Sequence, residues 1–432
     1  MLSGRAMSPT DHTLDRRGFL RTATGSLALL LSRRGLSAAQ APPAEPPVGP
    51  PLKLGVIGLG VWGRDVLAAL GRSPVSQVTA VCDSYQPFLK RASSALPQAL
   101  STNEWRRVLD SASVEAVVIA TPTHLHREIA VAALQAGKHV YCEAPLAASI
   151  DDARLIARAA ADASGLVFQG GLQGRSNALY VHVHEFVKAN VLGNVALVNA
   201  QWSRKDSWRR TAPTPEREAA INWRLAEGSP GLMGEVGIHQ LDLISLYLGA
   251  RPTAVSGIGA IATWRDGRKT PDTAICIAEF GSVRALLRAT LVSSFGGAYT
   301  AFQGSESSLL MKENRGWMIK EADSELLGWE VYARKETVHD ETGIAMVAGA
   351  TKLLEAGKEP GAEGPLEPET PPLVLAFESF ARSIRQKTPS ACGPADALAA
   401  TVTALKANEA VLANARLDLR PTDYAFEGEK KS

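Results

Sequence analysis

Cysteine is scarce in this sequence: four in 432 residues. That excludes a small scaffold built on disulfides. An excess of one charge is also missing. The formal net charge is +2, which gives no electrostatic case for binding nucleic acid or an anionic membrane. No apolar run approaches the roughly 20 residues that span a bilayer, so no stable membrane anchor is expected. What is present, 45% hydrophobic and 21% charged residues, is the composition of a globular protein. At roughly 100–200 residues per domain the length predicts two domains.

The first 41 residues read as an address. Arg16-Arg17 precedes Gly18-Phe19-Leu20-Arg21, a short apolar stretch runs from Thr22 to Leu31, and small residues follow at Ser37-Ala38-Ala39-Gln40-Ala41. That order looks like a twin-arginine export signal. It implies the export machinery as a partner and a periplasmic or otherwise exported destination. The segment also biases the charge. Without its six arginines and two aspartates, 40 basic and 42 acidic residues remain. Residues 42–51 are proline-rich and read as an extended linker.

From Leu52 the pattern alternates. An apolar strand, Leu52–Ile57, runs into Gly58-Leu59-Gly60-Val61-Trp62-Gly63, and a helix follows. This is G-x-G-x-x-G in the strand-before, helix-after context of a dinucleotide site. Gly58 makes the turn, Gly60 admits the pyrophosphate, and Gly63 lets helix and strand pack closely, with Val61 and Trp62 alongside. A second strand ends at Asp83, placed to accept hydrogen bonds from the adenosine ribose. A carboxylate there favours NAD over NADP. A buried strand, Ala116–Ala120, ends in Thr121-Pro122-Thr123-His124-Leu125-His126, and another ends at Glu143. Ligands bind at such carboxyl ends, so Thr121, Pro122, His126 and Glu143 are expected beside the nicotinamide. The Rossmann domain is assigned to residues 52–173.

From about Asn194 strand follows strand with short turns, which predicts an antiparallel sheet in a C-terminal domain, 174–425. Glu235, His239 and Asp242 recur at i, i+4 and i+7 and are expected on one helical face, with Glu235 orienting His239 as a general base. Between Arg204 and Arg224, cations, tryptophans and amides mix without periodicity. Trp208, Trp223 and Arg224, with Gln173, Arg175 and Asp242, are candidate sugar contacts; the alternative is a solvated basic loop. Tyr180-Val181-His182-Val183-His184 has poor chelating spacing on a helix, and no metal is expected.

Together the glycine loop, Ala120–His126, Ala136–Glu143 and Gly231–Asp242 resemble the glucose-fructose oxidoreductase / inositol dehydrogenase / rhizopine catabolism (Gfo/Idh/MocA) family. The resemblance implies an α/β fold: a Rossmann parallel sheet and a C-terminal α/β domain with a mostly antiparallel open sheet. It also implies an NAD(P)-dependent oxidoreductase of sugars or polyols, and homo-oligomers formed through the C-terminal sheet. Some exported relatives hold their nucleotide tightly. Two positions depart from the family pattern. Ala144 stands where the family carries a lysine that polarises the substrate oxygen, and Glu235 stands for an aspartate. Lys205 is a candidate to replace the lysine, with Arg175 and Gln173 as further candidates. Redox-neutral cleavage of glycosides and non-catalytic sugar binding are the alternative functions.

Overall fold

The computed structural model describes residues 49–325, 330, 333–347 and 370–426. The expected export signal, and the linker up to residue 48, lie outside the described residues.

Six parallel strands form the first sheet: β1 (Leu52–Ile57), β2 (Ser76–Cys82), β3 (Leu100–Thr102), β4 (Ala116–Ile119), β5 (His139–Cys142) and β6 (Phe168–Gly170), in the order β3-β2-β1-β4-β5-β6. The order reverses between β1 and β4, the switch point where a dinucleotide lies across the strand ends. β4 is buried along its whole length, as a strand covered on both faces must be. The helix α1 (Val61–Arg72) leaves β1 through the glycine loop.

Among the described residues the second sheet has ten strands: β7 (Val195–Ser203), β8 (Ala254–Ala260), β9 (Thr273–Phe280), β10 (Val283–Thr290), β11 (Ala298–Gly304), β12 (Ser307–Lys312), β13 (Arg315–Lys320), β14 (Lys335–Val338), β15 (Glu341–Met346) and β16 (Arg416–Asp418). Their order is β14-β15-β13-β12-β11-β7-β10-β9-β8-β16. Every pairing is antiparallel except β7 with β10. One face packs against two helices, Ile238–Leu248 and Pro394–Ala413. The other face is open.

The chain does not divide cleanly at residue 173. The helix Pro372–Gln386 returns to the first sheet, where Leu373, Val374, Phe377 and Phe380 join Leu52, Leu54, Val56 and Tyr141 in one buried cluster. The rings of Phe377 and Tyr141 lie 4.9 Å apart, and Arg385 reaches Glu115 at 2.9 Å. The segment assigned to the C-terminal domain thus also supplies a helix that covers one apolar face of the Rossmann sheet.

Candidate active site

The glycine loop is set by contacts that leave no room for side chains. Gly58 has φ +97°, and a Cβ there would lie 2.6 Å from the Ala120 carbonyl. A Cβ on Gly63 would meet the Gly58 oxygen at 2.0 Å. Gly60 differs: a Cβ there would meet nothing within 4 Å. The space in front of it is open, as an approaching pyrophosphate requires. Gly60 caps α1 without a side-chain hydrogen bond, and the first turn carries no acidic residue. Free N–H groups and the helix dipole therefore face that space. Asp83 braces the loop, accepting from the N–H of Leu59 and of Tyr85, each at 2.7 Å.

At the other end of the cleft, two buried acceptors lack partners among the described residues: Thr121 Oγ1 and Glu143 Oε1. Burial pushes the Glu143 carboxyl up to about 7, against the lowering effect of hydrogen bonds from Trp62 and the Ala144 backbone. Unpaired buried polar atoms are costly, and here they border the strand ends where a nicotinamide and its ribose would sit. Open space at Gly60, a bare helix terminus, Asp83 and these orphaned oxygens together fit NAD.

His126 has another task. Its Nδ1 lies 3.1 Å from the Pro145 carbonyl and its Nε2 lies 2.9 Å from the Thr121 carbonyl. Both ring nitrogens are occupied, so the expected cofactor contact is replaced by a clamp between two loops at the strand ends. Two carbonyls favour the charged ring, but complete burial outweighs them and lowers its pKa to about 4.

The expected face of Glu235, His239 and Asp242 does not form. Residues Met233–Gly237 make a π turn, and only from Ile238 does the helix Ile238–Leu248 become α-helical. The wider turn rotates Glu235 away from His239. Its Oε2 accepts from Arg224 Nε at 2.7 Å and its Oε1 from Thr123 Oγ1 at 3.1 Å. Glu235 thus ties the π turn to the end of β4 and does not orient the imidazole. His239 is exposed as a residue, while the protein atoms crowded around it lower its pKa to about 4 by desolvation. The two observations agree if the ring lines a cleft, neutral at pH 7 and accessible.

Arg175 and Asp242, expected to touch substrate, are turned on each other. Arg175 Nε and Nη2 donate to both Asp242 oxygens at 2.8–3.1 Å, and Nη1 reaches Asp396 at 3.1 Å. Burial pulls Asp242 toward its neutral form and the guanidinium pulls the other way. The forked geometry and always-charged Arg175 make this an ionised pair. The Lys205 side chain is exposed with no hydrogen bond or ion pair among the described residues, and its backbone N–H donates to Ser294. Gln173 is half-buried in a 3-10 turn beside Arg175.

The loop of tryptophans is brought to the cleft. Arg224 stacks 4.3 Å from the Trp223 ring and 5.9 Å from Trp208, and Trp223 meets His124 edge-on at 5.9 Å. The Arg224 side chain, 41% exposed, keeps its terminal nitrogens outside any hydrogen bond among the described residues. Thr123 and His124 fall in the run Thr121–His126 expected at the nicotinamide end, whereas Arg217 carried no signal in the sequence. Arg217 sits 4.1 Å over the Tyr85 ring. The partners of all three residues lie about a hundred residues or more away in sequence, which no local pattern signals.

His182 and His184 are used in packing, edge-on to Phe186 and stacked on Tyr247. Among the described residues no group of three or more His, Cys, Asp or Glu side chains is placed to hold a metal, and no helix is long and apolar enough to cross a membrane. All four cysteines are buried and free.

Residues 52–170 match the profile of an oxidoreductase family with an NAD-binding Rossmann fold, and residues 180–310 match the GFO/IDH/MocA C-terminal domain. An uncharacterized oxidoreductase of Streptococcus pneumoniae is 25% identical over 60% of this chain and 68% of its own length. Levoglucosan dehydrogenase of Pseudarthrobacter phenanthrenivorans is 25% identical over 50% of this chain and 60% of its own length. The chain thus spans about two thirds or less of these relatives. A solved structure of levoglucosan dehydrogenase in complex with NADH and L-sorbose superimposes with a TM-score of 0.69 at 19% identity, covering 86% of this chain and 100% of that one. At that identity the likeness shows the fold.

Proposed function

Because the chain belongs to the Gfo/Idh/MocA oxidoreductase family, we propose that it is an exported NAD-dependent enzyme oxidising a hydroxyl of a sugar or sugar derivative, with nucleotide that stays bound. The observation that carries the reading is His239: an open, neutral imidazole on a segment that the Thr123–Glu235 hydrogen bond draws against the nicotinamide end of the cleft. Oxidising a secondary alcohol requires the O–H proton to leave as the C–H hydride departs. His239 takes the proton; NAD, when bound, supplies the hydride acceptor. Glu143 and Thr121 hold the nicotinamide end, and the first turn of α1 holds the pyrophosphate. Trp208 and Trp223 offer flat apolar faces to sugar C–H groups. Arg224, with its terminal nitrogens free and its charge oriented by Glu235, supplies the cation missing at Ala144, the role expected of Lys205. The sugar class draws on the levoglucosan and scyllo-inositol dehydrogenases among its relatives.

Denaturing the purified protein and assaying the supernatant for NAD(H) is the first test; no nucleotide would remove the claim that it stays bound. Incubation with levoglucosan, inositols and a glycoside panel, with and without added NAD, is the second. Keto-sugar formation supports oxidation, whereas glycoside cleavage without added NAD would replace it with a redox-neutral cycle. Export rests on Arg16-Arg17. Replacing both with lysine should leave the protein in the cytoplasm with its first 41 residues intact by mass spectrometry.

A further inference from the structure

The segment between Asp206 and Ala226 belongs to the C-terminal domain but touches the Rossmann domain at two separated places. At one, Arg217 stacks on Tyr85 at 4.1 Å and approaches Phe88 at 5.6 Å. Tyr85 lies two residues beyond Asp83, at the carboxyl end of β2, where the adenosine ribose belongs. At the other, Trp223 meets His124 at 5.9 Å, and Arg224 reaches Thr123 through Glu235. Those residues lie at the carboxyl end of β4, where the nicotinamide belongs. Between β2 and β4 in the sheet lies β1, with its glycine loop.

The distances agree. Adjacent strands are about 4.8 Å apart, so β2 and β4 are about 10 Å apart. The chain from Arg217 to Arg224 is a short helix, Pro215–Ile221, followed by a 3-10 turn, Trp223–Leu225. At roughly 1.5–2 Å per residue it also spans about 10 Å.

The segment is firmly held from behind. Asn222 is buried and exchanges hydrogen bonds with the Arg210 backbone in both directions. Arg209 pairs with Glu218 and Asp266, and Lys269 N–H donates to the Leu225 carbonyl. Trp208 is held at φ +62°, a left-handed conformation that bulky residues adopt at a cost.

We propose that residues 206–226 form a strap across the dinucleotide, anchored by Arg217 at the adenosine end and by Trp223 and Arg224 at the nicotinamide end, so that nucleotide leaves only when an anchor releases. The inference rests on the NAD reading of the cleft and gives the retention of nucleotide a named cause.

The test loads the full-length protein with NADH, mixes it rapidly with a large excess of NAD, and follows the loss of tryptophan-sensitised NADH fluorescence. Arg217→Ala should speed release about tenfold, the equivalent of losing one well-formed cation–π contact. Trp223→Ala should speed it at the other anchor, and Arg217→Lys should retain most of the slow release. Arg106→Ala removes a cation–π pair with Trp105 on the outer surface (4.0 Å) and should leave the rate unchanged. Wild-type release rates in both Arg217→Ala and Trp223→Ala, with unchanged thermal midpoints, would overturn the strap. Failure of the wild-type protein to take up NADH at all would instead overturn the cofactor reading beneath it.

Discussion

His126 and His239 both carry lowered pKa values, one enclosed and one facing a cleft, and the difference separates stability from catalysis. His126 is buried with its nitrogens on two carbonyls. Unfolded, it takes a proton below about 6.5; folded, it does so only near 4. Its contribution is therefore complete above pH 6.5 and is lost as pH falls toward 4, by up to about 3 kcal/mol. Comparing urea midpoints at pH 7.5 and 4.5 checks this, because His126→Gln should flatten the part of the decline that this residue causes. His239 has the same sign for stability but a different test. His239→Ala should reduce turnover by about 10²–10⁴-fold while NADH still loads. With a lowered pKa the base remains neutral well below pH 6.5, so the acid limb of kcat/KM should fall below the usual histidine range.

At the scale of elements, the π turn and the helix after it are fixed to the molecule at two points by different chemistry. Glu235 binds Thr123 and Arg224 at one end. Asp242, one turn beyond His239, binds Arg175 at the other. Arg175→Met leaves the Asp242 carboxylate buried without its partner and should cost about 3–5 kcal/mol, read from the denaturation midpoint. The double change Arg175→Met with Asp242→Leu should recover much of that loss. Neither anchor was legible locally. The sequence pattern carried β1, the glycine loop, Asp83, β4 and β5, because each is a continuous apolar run or a turn whose backbone demands glycine. It missed the π turn, which no local pattern marks and whose Glu235 finds its partner Thr123 112 residues away. It missed β3, three residues long, and the strands between Ser307 and Met346, where short runs leave too little alternation to read. The residues expected to meet substrate divided by the same rule: Arg224 reached the cleft, whereas Arg175 and Asp242 found each other.

At the scale of the whole molecule, one face of the second sheet carries exposed apolar side chains with no helix packed over them among the described residues. Ile258 faces Ile275, and Ile277 faces Leu286, across registered strands. Ile258 and Ile277 are 57% and 41% exposed. Such a ridge fits a second copy of the same face, related by a two-fold axis. Light scattering should give a multiple of the chain mass for the native protein and a smaller particle for Ile277→Arg. A particle of chain mass in the native protein would dismiss this association.

The helix Pro372–Gln386 has a consequence for how the protein is made. Its phenylalanines complete a core begun by Leu52, Leu54 and Val56, so one part of the chain must wait for another that leaves the ribosome much later. During synthesis the nucleotide domain stands with one apolar face uncovered, a natural client for a chaperone. Compaction of this domain follows the emergence of the helix Pro372–Gln386. A secretion route that takes unfolded chains as they emerge would separate those two halves, whereas one that waits for a finished, loaded protein would keep them together.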